Sequence, residues 1–177
     1  VSVGGIDLFH KTYKKLLFDT IKLNAPYCYR CPYNLNQADC ELYCLNEIEK
    51  IIKKKHREII GVIIEPKIQA AAGMLIQPFG FMKKLEEICR KYEILLICDE
   101  VATGFGRTGE LFACSIENIQ PDIMTLAKGI TGGYLPLAVT ITTEKIFNQF
   151  LGTVDEERTF YHGHTYTGNQ LACSVAL

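Results

Sequence analysis

The feature that most constrains this chain is a set of short, unbroken apolar runs closed by polar or charged residues. Ile94 to Cys98 is one such run, and Asp99-Glu100 closes it. Ile59 to Ile64 is another, and Ile123 to Leu126 and Ala138 to Thr142 are further strand candidates. Runs of this length without alternation fit strands buried on both faces. Between them lie stretches of helical period. The spacing predicts a helix from an Asp39 cap to about Lys55, with Leu42, Leu45, Ile48, Ile51 and Ile52 on its apolar side. Phe79 to Tyr92 and Glu144 to Phe150 also read as helices, and Leu171 to Leu177 as a helical turn. Strands alternating with helices predict an α/β layered sheet.

Composition excludes little but narrows the class. The chain has 177 residues, enough for one core, and a net charge of −1, which gives nucleic acid or an acidic membrane no overall attraction. No apolar run approaches the roughly 18 residues of a membrane span. The opening residues do not read as a secretory signal, so reduced thiols and a cytoplasmic setting are expected. Lys53-Lys54-Lys55-His56-Arg57 closes the first long helix and reads as a solvated face that complements the helix dipole.

Two residues carry the candidate chemistry. Asp99 ends a buried strand, and ligands of open α/β sheets bind outside the carboxyl ends of strands. A carboxylate buried there needs a cation from the protein or from a ligand. Lys128 follows the Ile123–Leu126 run directly and opens a glycine-rich turn, Lys128-Gly129-Ile130-Thr131-Gly132-Gly133. A desolvated lysine loses its proton readily and condenses with a carbonyl. Pyridoxal phosphate (PLP) needs both groups: a lysine for its aldehyde and an acid for its ring nitrogen. A third element, Tyr161 to Asn169, is small and polar and precedes an apolar helical stretch. A helix N-terminus there would receive a phosphate, with Thr165 adding a hydroxyl.

The motifs resemble class III aminotransferases over nearly the whole chain. They are Ile64-Glu65-Pro66, Gln69-Ala70-Ala71-Ala72-Gly73-Met74, Asp99 through Gly109 (Asp-Glu-Val-Ala-Thr-Gly-Phe-Gly-Arg-Thr-Gly), Pro121-Asp122-Ile123 and Ala127-Lys128-Gly129. Pro26-Tyr27-Cys28-Tyr29-Arg30-Cys31-Pro32 and Gly163 to Asn169 are similar to the biotin-pathway branch. The resemblance implies a three-layer PLP-dependent transferase of fold type I, aspartate-aminotransferase-like, with a mostly parallel central sheet. Residues 1–177 would be the central part of its large domain, without the N-terminal region and the C-terminal small domain. The implied reaction is amino transfer to 8-amino-7-oxononanoate, giving 7,8-diaminononanoate, with S-adenosylmethionine as donor. Other ω-amine donors, such as lysine, ornithine or 4-aminobutyrate, are the alternative within the family.

Residue by residue, the resemblance makes Lys128 the catalytic, cofactor- and substrate-contacting lysine and Asp99 the partner of the pyridine nitrogen. Gly163 would touch substrate. His164 and Thr165 would meet the PLP phosphate of a neighbouring subunit, since family members are homodimers with shared sites. Ala70 and Gln170 depart from the family's usual Gly and Pro. The family's N-terminal substrate aromatic, phosphate-binding Gly-Ser loop, cofactor-stacking tyrosine and C-terminal arginine find no match, so the fragment alone is expected to be inactive.

Two rival motifs remain. Gly104-x-Gly106-x-x-Gly109 matches a dinucleotide fingerprint, but carboxylates stand at its strand end and no helix start follows. Cys28-x2-Cys31 with Cys40-x3-Cys44 has spacing for a structural zinc, which would suit a non-catalytic module; the competing reading is a loop packed on a helix.

Overall fold

A computed structural model describes residues 2–177. In chain order the regular elements are α1 (Asp7–His10), α2 (Tyr43–Lys55), β1 (Gly61–Ile64), β2 (Ile68–Gln69), β3 (Leu75–Ile76) and α3 (Phe81–Lys91). They continue with β4 (Leu95–Asp99), β5 (Ile123–Leu126), β6 (Val139–Thr142), α4 (Glu144–Phe147) and α5 (Gln170–Ala176). The main sheet has the order β1-β4-β5-β6. β1, β4 and β5 run parallel, and β6 closes the edge antiparallel. β2 and β3 form a separate antiparallel pair. Among the described residues no helix is long and apolar enough to cross a membrane.

The core lies on one face of this sheet. Phe81, Met82, Leu85, Ile88 and Cys89 recur along α3 at helical spacing and are all buried. Leu45, Ile48 and Ile52 of α2 meet them, and Leu96 and Cys98 supply the sheet side. Full burial of such side chains stabilises by about 1.5–3 kcal/mol each. Along β4 burial alternates with period two, so Leu96 and Cys98 face the helices while Leu95, Ile97 and Asp99 face the other way. Glu100 continues the buried series one residue beyond the strand and is 0% exposed.

The α/β expectation holds, and all four strand runs are strands. Several boundaries differ. Asp39 lies in a turn and does not cap α2; the helix starts at Tyr43 behind Leu42, whose backbone is left-handed. β1 is an edge strand of this sheet and only partly buried, so its apolar run does not mean two covered faces here. The Glu144–Phe150 helix stops after one turn and continues as a 3-10 turn over Asn148–Phe150. The β2–β3 pair and the helical turns at 7–16 are additional. Strands of two residues leave too short a period to be legible in a sequence.

Candidate active site

Asp99 and Lys128 come from neighbouring parallel strands. β4 and β5 pair with Asp99 opposite Thr125, so Asp99 and the Lys128 turn both stand at carboxyl ends of the sheet. The Asp99 carboxylate is half-buried. Its Oδ1 accepts from the Val101 amide at 3.1 Å and from the Thr125 hydroxyl at 3.2 Å. Among the described residues no donor reaches Oδ2, and the ion pairs of the molecule do not include Asp99. One oxygen is fixed and the other is open, and no cation among the described residues pairs with it. That donor set fits a protonated pyridine nitrogen.

Lys128 departs from expectation in one respect. It is exposed, not desolvated, because the 3-10 turn Lys128–Thr131 carries it out of the sheet as β5 ends. Its backbone φ is 45°, in the left-handed region. Such a conformation costs about 1–3 kcal/mol for a non-glycine residue, and strain of this kind concentrates at functional sites. Ala127 before it is fully extended, so the chain turns abruptly at the lysine. Gly129 has a structural reason: a Cβ there would lie 3.0 Å from the Cβ of Phe105.

The third element is placed less closely. Gly163, His164 and Thr165 are exposed, on a loop before α5. They lie in the stretch ahead of a helix, as expected, but not in its first turn. α5 starts at Gln170, and Asn169 caps it by accepting from the Ala172 amide at 2.9 Å, which satisfies one of the free amides of its first turn. The His164 amide donates to the Thr167 hydroxyl, and His164 Nδ1 accepts from the Tyr166 amide at 3.1 Å. α5 itself packs against the Lys128 turn, so the loop is tethered to the lysine through that contact. The absence of proline at Gln170 does not prevent the helix, and Ala70 avoids left-handed backbone.

The rival motifs resolve differently. Residues 101–109 form turns, and Gly106 and Gly109 have φ of 86° and 108°; no helix opens there, so the dinucleotide fingerprint has no structural counterpart. Cys28, Cys31, Cys40 and Cys44 are free and half-buried, and burial, then the neighbouring Cys40 and Cys31, pushes the Cys28 thiol up. Burial, then Cys28 and Cys40, push the Cys44 thiol up to about 11. Among the described residues no group of three or more His, Cys, Asp or Glu side chains is disposed to hold a metal ion. A cavity of about 420 Å³ adjoins this region, lined by residues including Tyr27, Cys28, Met74 and Gln77; neither Asp99 nor Lys128 lines it.

Sequence reasoning missed Thr125, which orients Asp99, and Phe105, which abuts the lysine turn. A lone hydroxyl inside the apolar run 123–126 was the available signal for the first.

Residues 3–177 match the aminotransferase class III family over almost their whole extent. The chain belongs to the class III aminotransferases. It is 58% identical over 178 residues to adenosylmethionine-8-amino-7-oxononanoate aminotransferase of Aquifex aeolicus and 55% identical over 178 residues to that of Geobacter sulfurreducens. Each alignment covers 100% of this chain and 39% of the relative, so the chain spans about two fifths of the length of these curated relatives. Among solved structures, the enzyme of the same name from Methanocaldococcus jannaschii superposes with a TM-score of 0.87 at 47% identity, covering 99% of this chain and 38% of that one. A PLP-bound amine transaminase from an uncultivated Pseudomonas species gives 0.91 at 35% identity, over 99% of this chain and 40% of its own. The fold is that of the PLP-dependent transaminases, with the mostly parallel sheet expected.

Proposed function

We propose that this chain is the centre of the large PLP-binding domain of a transaminase that aminates 8-amino-7-oxononanoate to 7,8-diaminononanoate, a step of biotin synthesis. The observation that carries the chemistry is the placing of a half-satisfied Asp99 carboxylate and the Lys128 turn on adjacent parallel strand ends. The substrate assignment rests on relatives of that name at 50–58% identity. S-adenosylmethionine is the donor their names support. Solved ω-transaminases are also similar, as in the 38% identity to the Thermomicrobium roseum protein, and favour a different ω-amine donor as the second reading. The greater identity of the first group supports the first reading.

PLP, when bound, supplies an aldehyde for amine exchange and a ring that takes up electron density. Residues of this chain would supply part of the rest. Asp99 would hold the ring nitrogen protonated, with the Thr125 hydroxyl and the Val101 amide fixing its carboxylate. Lys128 Nζ would hold the cofactor through its aldehyde and, once free, would serve as the base that carries a proton at the reacting centre. Gly163 leaves room for substrate, and His164 and Thr165 serve the phosphate of a second subunit in a homodimer. Exposure of 163–165 supports that role, since a loop serving a partner's site must be open in the single chain. The N-terminal region and small domain would come from chain outside these residues, and the setting would be cytoplasmic.

The test is an absorbance titration of the complete enzyme with PLP, then borohydride reduction and peptide mapping. A label on Lys128, with bleaching by S-adenosylmethionine, supports the reading. A label on another lysine overturns the role of Lys128, and bleaching by lysine alone transfers the assignment to the second reading.

A further inference from the structure

Glu100 is a buried acid that the chemistry above does not use. It is 0% exposed and takes part in none of the ion pairs among the described residues. It faces the helix-covered side of the sheet, opposite to Asp99. Its carboxylate instead receives three donors. Oε2 accepts from the Thr103 hydroxyl and from the Ala113 amide at 3.1 Å, and Oε1 accepts from the Cys114 amide at 2.7 Å. Backbone bonds complete the fixation. The Glu100 amide donates to the Thr125 carbonyl at 2.9 Å, and the Glu100 carbonyl accepts from the Gly104 amide at 2.9 Å.

These donors stand at the two ends of one loop. Thr103 opens the segment 103–114 and Ala113-Cys114 closes it, so one carboxylate pins both feet. Inside the loop Phe105 adopts a left-handed φ of 60° and meets Phe112 edge-on, with ring centroids 5.7 Å apart. Phe105 also lies against Gly129, next to Lys128, where a Cβ would be tightly crowded at 3.0 Å from the Phe105 Cβ. A continuous packed path therefore runs from Glu100 through Phe105 to the lysine turn, while the same residue's backbone borders Thr125 and Asp99.

We propose that Glu100 is a positioning residue: as a buried anion it pins the 103–114 loop, and through Phe105 and Gly129 it sets Lys128 relative to Asp99. The charge is needed because all three partners donate. A glutamine of the same shape offers one acceptor oxygen, and its NH2 would face a donor already in place. This inference rests on the PLP reading of the site.

The test compares the complete enzyme with Glu100→Gln and Thr103→Val, the second removing one donor while keeping the anion and the fold. Three quantities are read: PLP affinity, the pH titration of the bound cofactor's absorbance, and hydrogen exchange of the Ala113 and Cys114 amides without PLP. Glu100→Gln is expected to weaken PLP about tenfold, the scale of one charged hydrogen bond. It should also move the absorbance titration and speed exchange at both amides. Thr103→Val should shift the same readouts in the same direction by less, and it decides the matter if Glu100→Gln does not fold. Faster exchange with unchanged PLP affinity and absorbance titration would reduce Glu100 to a structural staple and overturn the proposal. If the unaltered enzyme binds no PLP, the functional reading itself has failed, which the exchange data do not confuse with a failure of Glu100.

Discussion

Asp99 and Thr125 stand opposite each other across β4 and β5, and the threonine hydroxyl takes one carboxylate oxygen while the other stays open. This division predicts different outcomes at the two residues. Asp99→Asn keeps an Oδ1 acceptor for Thr125 and Val101, so the fold should survive. It replaces the open oxygen or its charge, which weakens the bond to the ring nitrogen by about 1.5–3 kcal/mol, or roughly 10- to 150-fold in rate. Steady-state kinetics of the complete enzyme check this; an unchanged rate would place the nitrogen's partner elsewhere.

Thr125→Val removes the hydroxyl and nothing else of consequence for volume. Asp99 then keeps only the Val101 amide. The expected loss is about 0.5–1.5 kcal/mol in PLP affinity, up to about tenfold. A fluorescence titration with PLP measures it, and an affinity equal to that of the unaltered enzyme would show that the hydroxyl does not orient Asp99.

Lys128→Ala should abolish turnover and borohydride trapping. Stability should move by no more than about 0.5 kcal/mol, because the side chain is exposed. Urea denaturation beside the trapping experiment separates the two effects. Retained turnover would remove the lysine from the mechanism.

Much of this was written in the sequence at the level of apolar runs. Ile94 to Cys98 and Ile123 to Leu126 are long enough and bounded sharply enough to be read as strands, and Asp99 and Lys128 follow from their ends. Asp39 misled because a capping residue type is also a turn residue, and only the left-handed Leu42 reveals where α2 begins. The exposure of Lys128 was not legible either. Apolar neighbours in sequence suggest burial, whereas a 3-10 turn with positive φ sends the side chain outward. The helix after the 161–169 loop was legible from small polar residues ahead of an apolar stretch, but its Asn169 cap, four residues after Thr165, was not.

The core makes a simpler prediction. Leu85 is buried on the α3 face between α2 and the sheet. Leu85→Ala should cost about 2–5 kcal/mol, from lost transfer energy and the cavity left behind. Chemical denaturation checks it, and a loss below about 1 kcal/mol would mean that the α2–α3 layer collapses to fill the gap.

The buried thiols predict a loss of stability in alkali. Burial pushes Cys89 and Cys114 up from about 9 to about 12, and for Cys114 the Glu100 carboxylate adds to the effect. Burial raises Cys98 as well, with Cys114 and Glu100 contributing. Below pH 9 the thiols are protonated in both folded and unfolded chains, so their contribution is fully present. Between about pH 9 and 12 the unfolded chain releases these protons and the folded one holds them. The unfolded state then binds fewer protons, and stability falls as pH rises, by up to about 1.4 kcal/mol per pH unit for each thiol. Tyrosines and lysines titrate in the same range, so the informative quantity is a difference between proteins. Cys89→Ala should reduce the loss between pH 9 and pH 10 by roughly 1 kcal/mol relative to the unaltered protein. The same thiol should resist Ellman's reagent at pH 8 until denaturant is added. Equal alkaline losses in both proteins, or fast labelling of native Cys89, would show that the thiol is not held protonated by burial.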